Sequence, residues 1–434
     1  MNRISVKLIT FILSICATMP LCAQTNGSNS PYSRYGYGLL ADRAQGFNKG
    51  MAGVSMGMRN EHQVNYKNPA TYSAIDSLTL LFDVGATLQI ANLESNTTKK
   101  NANNTSIDHI VAGFRLAPGL GMSVGLVPFS TIGYNMTTTS TFVQSTGEVE
   151  QTETYKGDGG IHEVFVGLGY MPVKGLSVGA NVGYIWGTLD HSVTASFNST
   201  TISSRQRKYT TDIRSYKVDL GVQYEKPINR NNTLILGATY GLGHNVNRNA
   251  NYYDQRITTN QGTAGDTLVA KNAYEMPHTF AIGATWNHRN RLRVGFDYSL
   301  QLWDGCKSPQ LNSNNEYIVG TDAYKNRHQF ALGSEYVRNP NSAKFMHRVR
   351  YRLGFSYATP YVKVNGIDGP RSYTASMGVG IPISNFWSKN SVLNISAQYE
   401  RVEPKLSTMI TENYYRLCIG ITFHDGWFAK WKVQ

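Results

Sequence analysis

The sequence predicts an all-β protein: a 14-stranded antiparallel transmembrane β-barrel with an N-terminal plug inside its lumen. Three observations carry this expectation. From Asp76 almost to the C-terminus, segments of about ten residues alternate apolar with polar or small side chains, and turn residues separate them. The connections between these segments alternate in length, short then long. Beyond the N-terminus no apolar stretch reaches the ~20 residues a helix needs to cross a bilayer. Yet the 434-residue chain holds 27 Tyr, 16 Phe and 41 Gly, with only 16% charged residues.

The first segment shows the alternation. Leu78, Leu80, Phe82, Val84, Ala86, Leu88 and Ile90 share one face, and Thr79, Asp83, Gly85, Thr87 and Gln89 lie on the other. Successive strand residues point to opposite sides, so one wall is apolar and the other polar. Fourteen such segments fall at 77–92, 105–116, 120–134, 161–171, 175–190, 211–225, 233–246, 275–287, 291–303, 324–338, 346–360, 372–384, 391–402 and 412–424. Short turns follow the even-numbered segments, as at Ala117–Gly119 and Pro172–Lys174. Long polar loops are expected at Asn135–Gly160, Asn247–Tyr274 and Asp304–Ala323. An even number of strands with one-sided long loops is the pattern of an outer-membrane barrel, and only helices and closed barrels satisfy the backbone in lipid.

Ahead of the strands, residues 1–23 read as a signal peptide. Arg3 and Lys7 give a positive start, Leu8–Cys16 an apolar core, and Leu21-Cys22-Ala23 a cleavage site before Gln24. Residues 24–75 form the expected plug. Its stretch Ser30–Ser73 has no sustained period, but it carries six aromatics and the small residues Gly50, Ala52, Gly53, Ser55 and Gly57, which suit close backbone packing. The barrel is expected over 76–424. A tail at 425–434 follows, with Trp427, Phe428 and Trp431 at headgroup level.

The formal charge is +13, and removing Arg3 and Lys7 leaves +11 for the mature chain. The basic residues are scattered singly rather than striped along a helix, which argues against a nucleic-acid partner and for membrane lipid headgroups or a basic interior. Cys306 and Cys418 are expected to be two separate thiols. No Gly-x-Ser-x-Gly or His-Glu-x-x-His occurs, and the cysteines lack metal spacing, so neither catalysis, metal nor cofactor is expected. His162-Glu163 and Asp108-His109 read as rim residues whose neighbouring side chains diverge.

Arg348, Arg350 and Arg352 alternate with Val349, Tyr351 and Leu353 in the eleventh segment. If the apolar residues face lipid, all three arginines point inward, toward Glu335 and Asp297 on neighbouring strands, with Lys217 and Asp219 on the sixth. Two roles suit them: a salt-bridge lattice that holds the plug, or a fork-shaped site for a carboxylate. In the third segment, Pro128 lacks a ladder donor and predicts a bulge or kink, with Gly125, Phe129, Ser130 and Gly133 around it.

Asn68-Pro69-Ala70 stands between the Gly-rich stretch and the first strand, and Ser30-Pro31-Tyr32-Ser33-Arg34-Tyr35-Gly36-Tyr37-Gly38 opens that stretch. On these motifs the mature chain resembles FadL-type outer-membrane transport proteins, in the form found in Bacteroidetes. The resemblance implies passive uptake of a hydrophobic ligand such as a long-chain fatty acid. It also implies a lateral opening at the kinked third strand and Asn68, Pro69 and Ala70 as the plug-to-barrel junction. FadL-like barrels also serve as accessory subunits of Bacteroidetes secretion or assembly machines, so other outer-membrane proteins are candidate partners.

Overall fold

The computed structural model describes residues 29–426 except 78, 96–97, 145–146, 200–201, 259–261, 384–390 and 407. The proposed signal peptide and the aromatic tail residues Trp427, Phe428 and Trp431 lie outside the described residues. Fourteen strands form the wall: β1 (Thr79–Glu94), β2 (Lys99–Ala117), β3 (Leu120–Gln144), β4 (Gly147–Val173), β5 (Leu176–Phe197), β6 (Ser204–Asn229), β7 (Asn232–Gly241), β8 (His278–His288), β9 (Leu292–Leu302), β10 (Arg327–Val337), β11 (Arg350–Ala358), β12 (Arg371–Ile383), β13 (Ser391–Glu403) and β14 (Thr411–Gly426). Each pairs antiparallel with the next, and β14 pairs back onto β1 from Thr79↔Gly426 to Glu94↔Thr411, which closes the sheet.

The alternation sets the two faces. Leu88 and Ile90 point outward, as do Phe296, Leu353, Phe355 and Leu417, while Leu81, Asp83, Thr87, Glu335 and Arg352 are buried inward. Closure of β14 onto β1 leaves the sheet without terminal edges, although β2 and β3 part above Ile110 and Leu126.

The long connections are not irregular loops. β3 and β4 stay paired up to Gln144↔Gly147, so 135–160 is a hairpin continued from the wall. The span 247–274 folds as Ala250–Thr258 against Gly262–Ala270, and the first of these strands also pairs with the upper part of β6. Within 304–323, Ser308–Leu311 pairs with Tyr317–Gly320. The run Thr137–Thr141 is polar and, apart from Ser140, β-branched, which favours a solvated strand, and pairing satisfies the backbone that a loop would leave open.

On the inward side lies the N-terminal segment, residues 29–77, built from short pieces: a 3-10 turn Pro31–Arg34, a strand Leu39–Leu40, a helix Gly46–Lys49 and a 3-10 turn Pro69–Ala74. Both 3-10 turns start at a polar side chain that accepts a backbone N–H, Ser30 from Tyr32 and Asn68 from Ala70, with proline at the first position. Phe47, Met51, Val54 and Met58 pack together with Ala331 of β10. Val64, Tyr66, Tyr72 and Ile75 pack with Leu81, Val111, Val127 and Phe165 from the wall. Each such side chain contributes roughly 1.5–3 kcal/mol when fully buried.

This backbone lies directly on inward-facing glycines of the wall. An added Cβ at Gly420 or Gly378 would lie 2.9 Å from the Cα of Gly46 or Gly50 respectively. At Gly354 it would lie 2.5 Å from Ala52 N, and at Gly169 2.5 Å from Pro69 O. Glycine in a strand marks a close backbone approach, and here such glycines recur on most strands, from Gly121 on β3 to Gly420 on β14.

The one-sided hairpins give an orientation test. In outer-membrane barrels the short turns face the periplasm. A membrane-impermeant thiol reagent on intact cells is expected to label Asn314→Cys, in the 304–323 excursion, and to miss Asn341→Cys in the β10–β11 turn. Labelling of the second alone would invert the assigned orientation.

Candidate functional site

β2 and β3 pair only from Ala117↔Leu120 to Ile110↔Leu126. Above that level β2 follows β1 and β3 follows β4, so the two strands part. Both carry an extra residue at the parting point. In β2 it is Asp108, between the pairs Gly85↔His109 and Ala86↔Ile107. In β3 it is Phe129, between Pro128↔His162 and Ser130↔Ile161. A bulge bends and twists its strand, and Pro128 removes a ladder donor beside it.

The edge of β3 that β2 leaves is taken up by the N-terminal segment. Leu39 pairs with Thr131 and Leu40 with Ser130 in antiparallel register. The Ala41 N–H donates to the Phe129 carbonyl at 2.9 Å, and the Ser30 N–H to the Gly133 carbonyl at 3.1 Å. Gly133 N–H in turn donates to Ser33 Oγ at 3.2 Å. Ser130 is fully buried under this strand. Gly125, lower on β3, faces inward between Phe165 and Val111.

The same segment is fastened on its other flank. Ser30 Oγ donates to Glu412 Oε1 of β14 at 2.7 Å, and Tyr32 Oη donates to the Ile410 carbonyl at 2.6 Å. Asn29 Nδ2 donates to Asn104 Oδ1 of β2 at 2.7 Å. Inside the barrel at this height, Tyr37 joins a large buried aromatic and aliphatic cluster with Ile132, Tyr274, Trp303, Tyr324 and Tyr361. The Tyr361 hydroxyl donates to the Gly38 carbonyl.

Lower down, charged side chains hold the segment to the wall. Arg43 reaches Glu163 on β4 at 3.0 Å and Asp219 on β6 at 3.5 Å, where Lys217 also pairs with Asp219. Lys49 meets Asp108 at 2.7 Å. Asp297 Oδ2 on β9 accepts the backbone N–H groups of Ser55 and Met56 at 2.6 and 2.9 Å. Asn68 Nδ2 donates to the carbonyls of Met56 and Val222. Burial alone would lower the Arg43 guanidinium, but Glu163 and Asp219 hold it above its usual range. Burial alone would raise Asp42, yet Lys67 and Lys49 hold it below the usual carboxylate range.

These placements revise several expectations. Arg350 and Arg352 point inward and meet Glu335 at 2.9 and 2.8 Å, and Arg293 of β9 lies 3.5 Å from the same carboxylate. Arg348 does not join them, because the chain turns into a short helix at Phe345–Arg348 before β11 begins. Asp297 is also separate, bound to backbone rather than to arginine. The arginine group therefore ties β9, β10 and β11 together, and Arg352 extends to Asn394 of β13 at 2.6 Å. Asn68, Pro69 and Ala70, ahead of β1 in the chain, sit deep against β5 and β6, at Gly179 and Gly221. Asp108, His109 and Glu163 are not rim residues. The β2 bulge turns two consecutive side chains inward, Asp108 to Lys49 and His109 to Asp83 at 3.3 Å. Cys306 and Cys418 are free and buried.

The sequence reading missed Leu39, Leu40, Arg43, Lys49 and Glu412. The signals were weak but present: one apolar pair and two isolated cations in an otherwise small and polar stretch.

One further group gives a pH prediction. His62 packs edge-on against His424 at 5.0 Å, and its Nδ1 is buried without a hydrogen-bond partner. Burial, with His424 beside it, lowers its pKa to about 4. The folded chain resists protonation there, so the packing of this segment is at full strength above about pH 6.5 and weakens as pH falls toward 4. The hydrogen-exchange protection of residues 55–66, taken relative to the intrinsic rate at each pH, is expected to fall over that window, and His62→Gln is expected to remove the dependence.

A family model described as BamG matches residues 5–434. No curated protein matches the chain. Among solved structures, the Pseudomonas putida toluene transporter TodX superposes with a TM-score of 0.60 at 14% identity, over 91% of this chain and 99% of that one. The CymD monoaromatic hydrocarbon channel gives 0.57 at 15% identity, over 89% and 98%. A Pseudomonas aeruginosa FadL homologue gives 0.57 at 13% identity, over 88% and 98%. The fold is thus that of FadL-like outer-membrane transport barrels. With almost its whole length matched by the family model, the chain belongs to the BamG family.

Proposed function

We propose that this barrel lies in the outer membrane and passes hydrophobic molecules, such as long-chain fatty acids or monoaromatic compounds, through the seam between β2 and β3. In this reading residues 1–23 are a signal peptide, 24–75 a plug, 76–424 the barrel and 425–434 a periplasmic tail. The carrying observation is that β3 above Leu126 pairs with Leu39–Leu40 of the plug instead of with β2. A wall built only for strength would pair these strands throughout. A wet lumen would serve an apolar cargo poorly, since each methylene exposed to water costs about 0.8 kcal/mol. A side exit opened by withdrawal of residues 30–41 avoids that cost. The structural neighbours described as hydrocarbon channels are consistent with such a cargo.

The register allows a reversible lock. Leu40 and Ser130 are direct cross-strand partners, with the Cα separation of about 4.5–5.5 Å that a disulfide accepts. Leu40→Cys with Ser130→Cys is expected to abolish uptake of a labelled fatty acid or toluene when oxidised, and to restore it on reduction. Uptake that needs the protein but ignores the lock would refute the lateral route.

A second reading, a non-transporting accessory subunit of an outer-membrane secretion or assembly machine, is favoured by one observation. The lumen beside the seam is filled by the cluster around Tyr37, Trp303 and Tyr324. If deleting the gene leaves uptake unchanged but impairs surface-protein assembly, this second reading replaces the first.

A further inference from the structure

At the hairpin end of the barrel several cations sit against carboxylates: Lys99 on Glu94, Arg205 on Asp254, Lys325 on Asp368 and Arg401 on Glu403. The cations of the short turns do not. Every described turn there carries at least one cation: Arg115 before β3, Lys174 before β5, Lys226 and Arg230 before β7, Arg289 and Arg291 before β9, and Arg338, Lys344 and Arg348 before β11. Among the described residues, none of these has a carboxylate within ion-pair distance. The ion-paired carboxylates close by are already engaged, Glu225 by Arg59 and Glu335 by Arg293, Arg350 and Arg352.

Exposed apolar side chains lie beside these cations. Leu116 follows Arg115, Val173 precedes Lys174, Ile228 lies between Lys226 and Arg230, and Phe345 and Met346 follow Lys344. Val173 and Met346 are 59% and 63% exposed. A cation next to an outward apolar side chain suits the boundary of a bilayer, where the apolar group enters the acyl region and the ammonium or guanidinium meets phosphate.

We propose that the short-turn rim is a binding ring for anionic phospholipid headgroups, with these turn cations as the phosphate ligands. The distribution chooses lipid over an acidic protein. Consecutive wall strands are neighbours, so turns after β2, β4, β6, β8 and β10 spread the cations around most of the circumference. A protein partner would draw them to one arc, whereas a lipid annulus meets every turn. This ring is independent of whether the barrel conducts.

The test uses the full-length barrel in phosphatidylcholine bilayers with spin-labelled phosphatidylglycerol or spin-labelled phosphatidylcholine as probe. Each cation near an anionic surface favours it by about fivefold. The motionally restricted fraction is therefore expected to show a several-fold preference for phosphatidylglycerol. That preference should fall toward unity in 1 M salt. It should fall likewise in the combined variant Lys174→Gln, Lys226→Gln, Arg289→Gln and Lys344→Gln. The pair Lys325→Gln and Lys405→Gln at the other end should leave it unchanged. Equal association of both probes with the wild-type barrel overturns the proposal. So does a preference that survives the combined variant, or one lost in the Lys325 and Lys405 pair. If the combined variant fails to fold, the salt arm on the wild-type protein still decides. An acidic protein that copurifies with the wild type, in the absence of any lipid preference, would assign the ring to a protein partner instead.

Discussion

Replacing Glu335 with alanine is expected to lower the stability of the barrel by about 3–5 kcal/mol, because it leaves buried guanidinium groups without their counter-charge. Glu335 is almost fully buried and accepts from Arg350 and Arg352, with Arg293 nearby. The cost comes from the stranded cations rather than from the lost carboxylate itself. Two apolar changes, Arg350→Met and Arg352→Met, made together with Glu335→Ala, should therefore recover most of it. Urea unfolding in detergent, followed by loss of heat-modifiable gel mobility, measures the effect. A midpoint unchanged in Glu335→Ala would mean that water reaches this group and screens it. Because the group spans β9, β10 and β11, the loss should appear in the wall as well as in the segment inside it.

Gly354→Val is expected to cost about 3 kcal/mol or more, the upper range for overpacking, because the new atoms meet backbone rather than a yielding side chain. A Cβ there would lie 2.5 Å from Ala52 N and 2.6 Å from Met51 Cα. Gly179→Val meets the Pro69 carbonyl oxygen at 2.5 Å and should behave alike. Either the N-terminal segment leaves the wall or the strand shifts. Limited proteolysis at Arg59 and Lys67, buried or half-buried in the native chain, distinguishes these outcomes. Ala397→Val, whose side chain points outward, is the control and should be silent. If Gly354→Val keeps both full protease resistance and full stability, the close backbone contact does not constrain the fold.

Much of the wall was legible because its period is strict. The Leu353–Phe355 alternation fixed which side of β11 faces out, and the same parity sent Arg352 inward toward Glu335. Legibility failed where local geometry departs from that period. Asp108 is one extra residue in β2, so the alternation used to place Asp108 and His109 breaks at the residue that matters. Arg348 was assigned by extending the strand past Val349, but the chain turns there. The N-terminal segment was readable only as small-residue packing, since its conformation follows from the wall it touches. Nothing in Leu39-Leu40 alone says that it pairs with Ser130 and Thr131. The glycines that receive its backbone were visible in the sequence, all on inward parity in mid-strand, as at Gly333, Gly354 and Gly378. Their meaning needed the partner.

The hydrogen bond from Ser30 to Glu412 joins residues 382 apart in the chain. It has a consequence for the order of folding. The first described residues complete their contacts only when the last strand arrives, so early synthesis of the N-terminal segment gives it no early structure. Closing so long a loop carries a large entropy cost that is repaid late, and contacts of this separation make folding slow. Seating of residues 29–41 and pairing of β14 with β1 should then be a single late event. Until that event the chain exposes two unpaired strand edges and the unseated N-terminal segment with its aromatic side chains, a state that needs a holding factor if it is not to aggregate. In a time-resolved refolding experiment, protection of Leu39 and Leu40 should appear with that of Tyr414 and not before it.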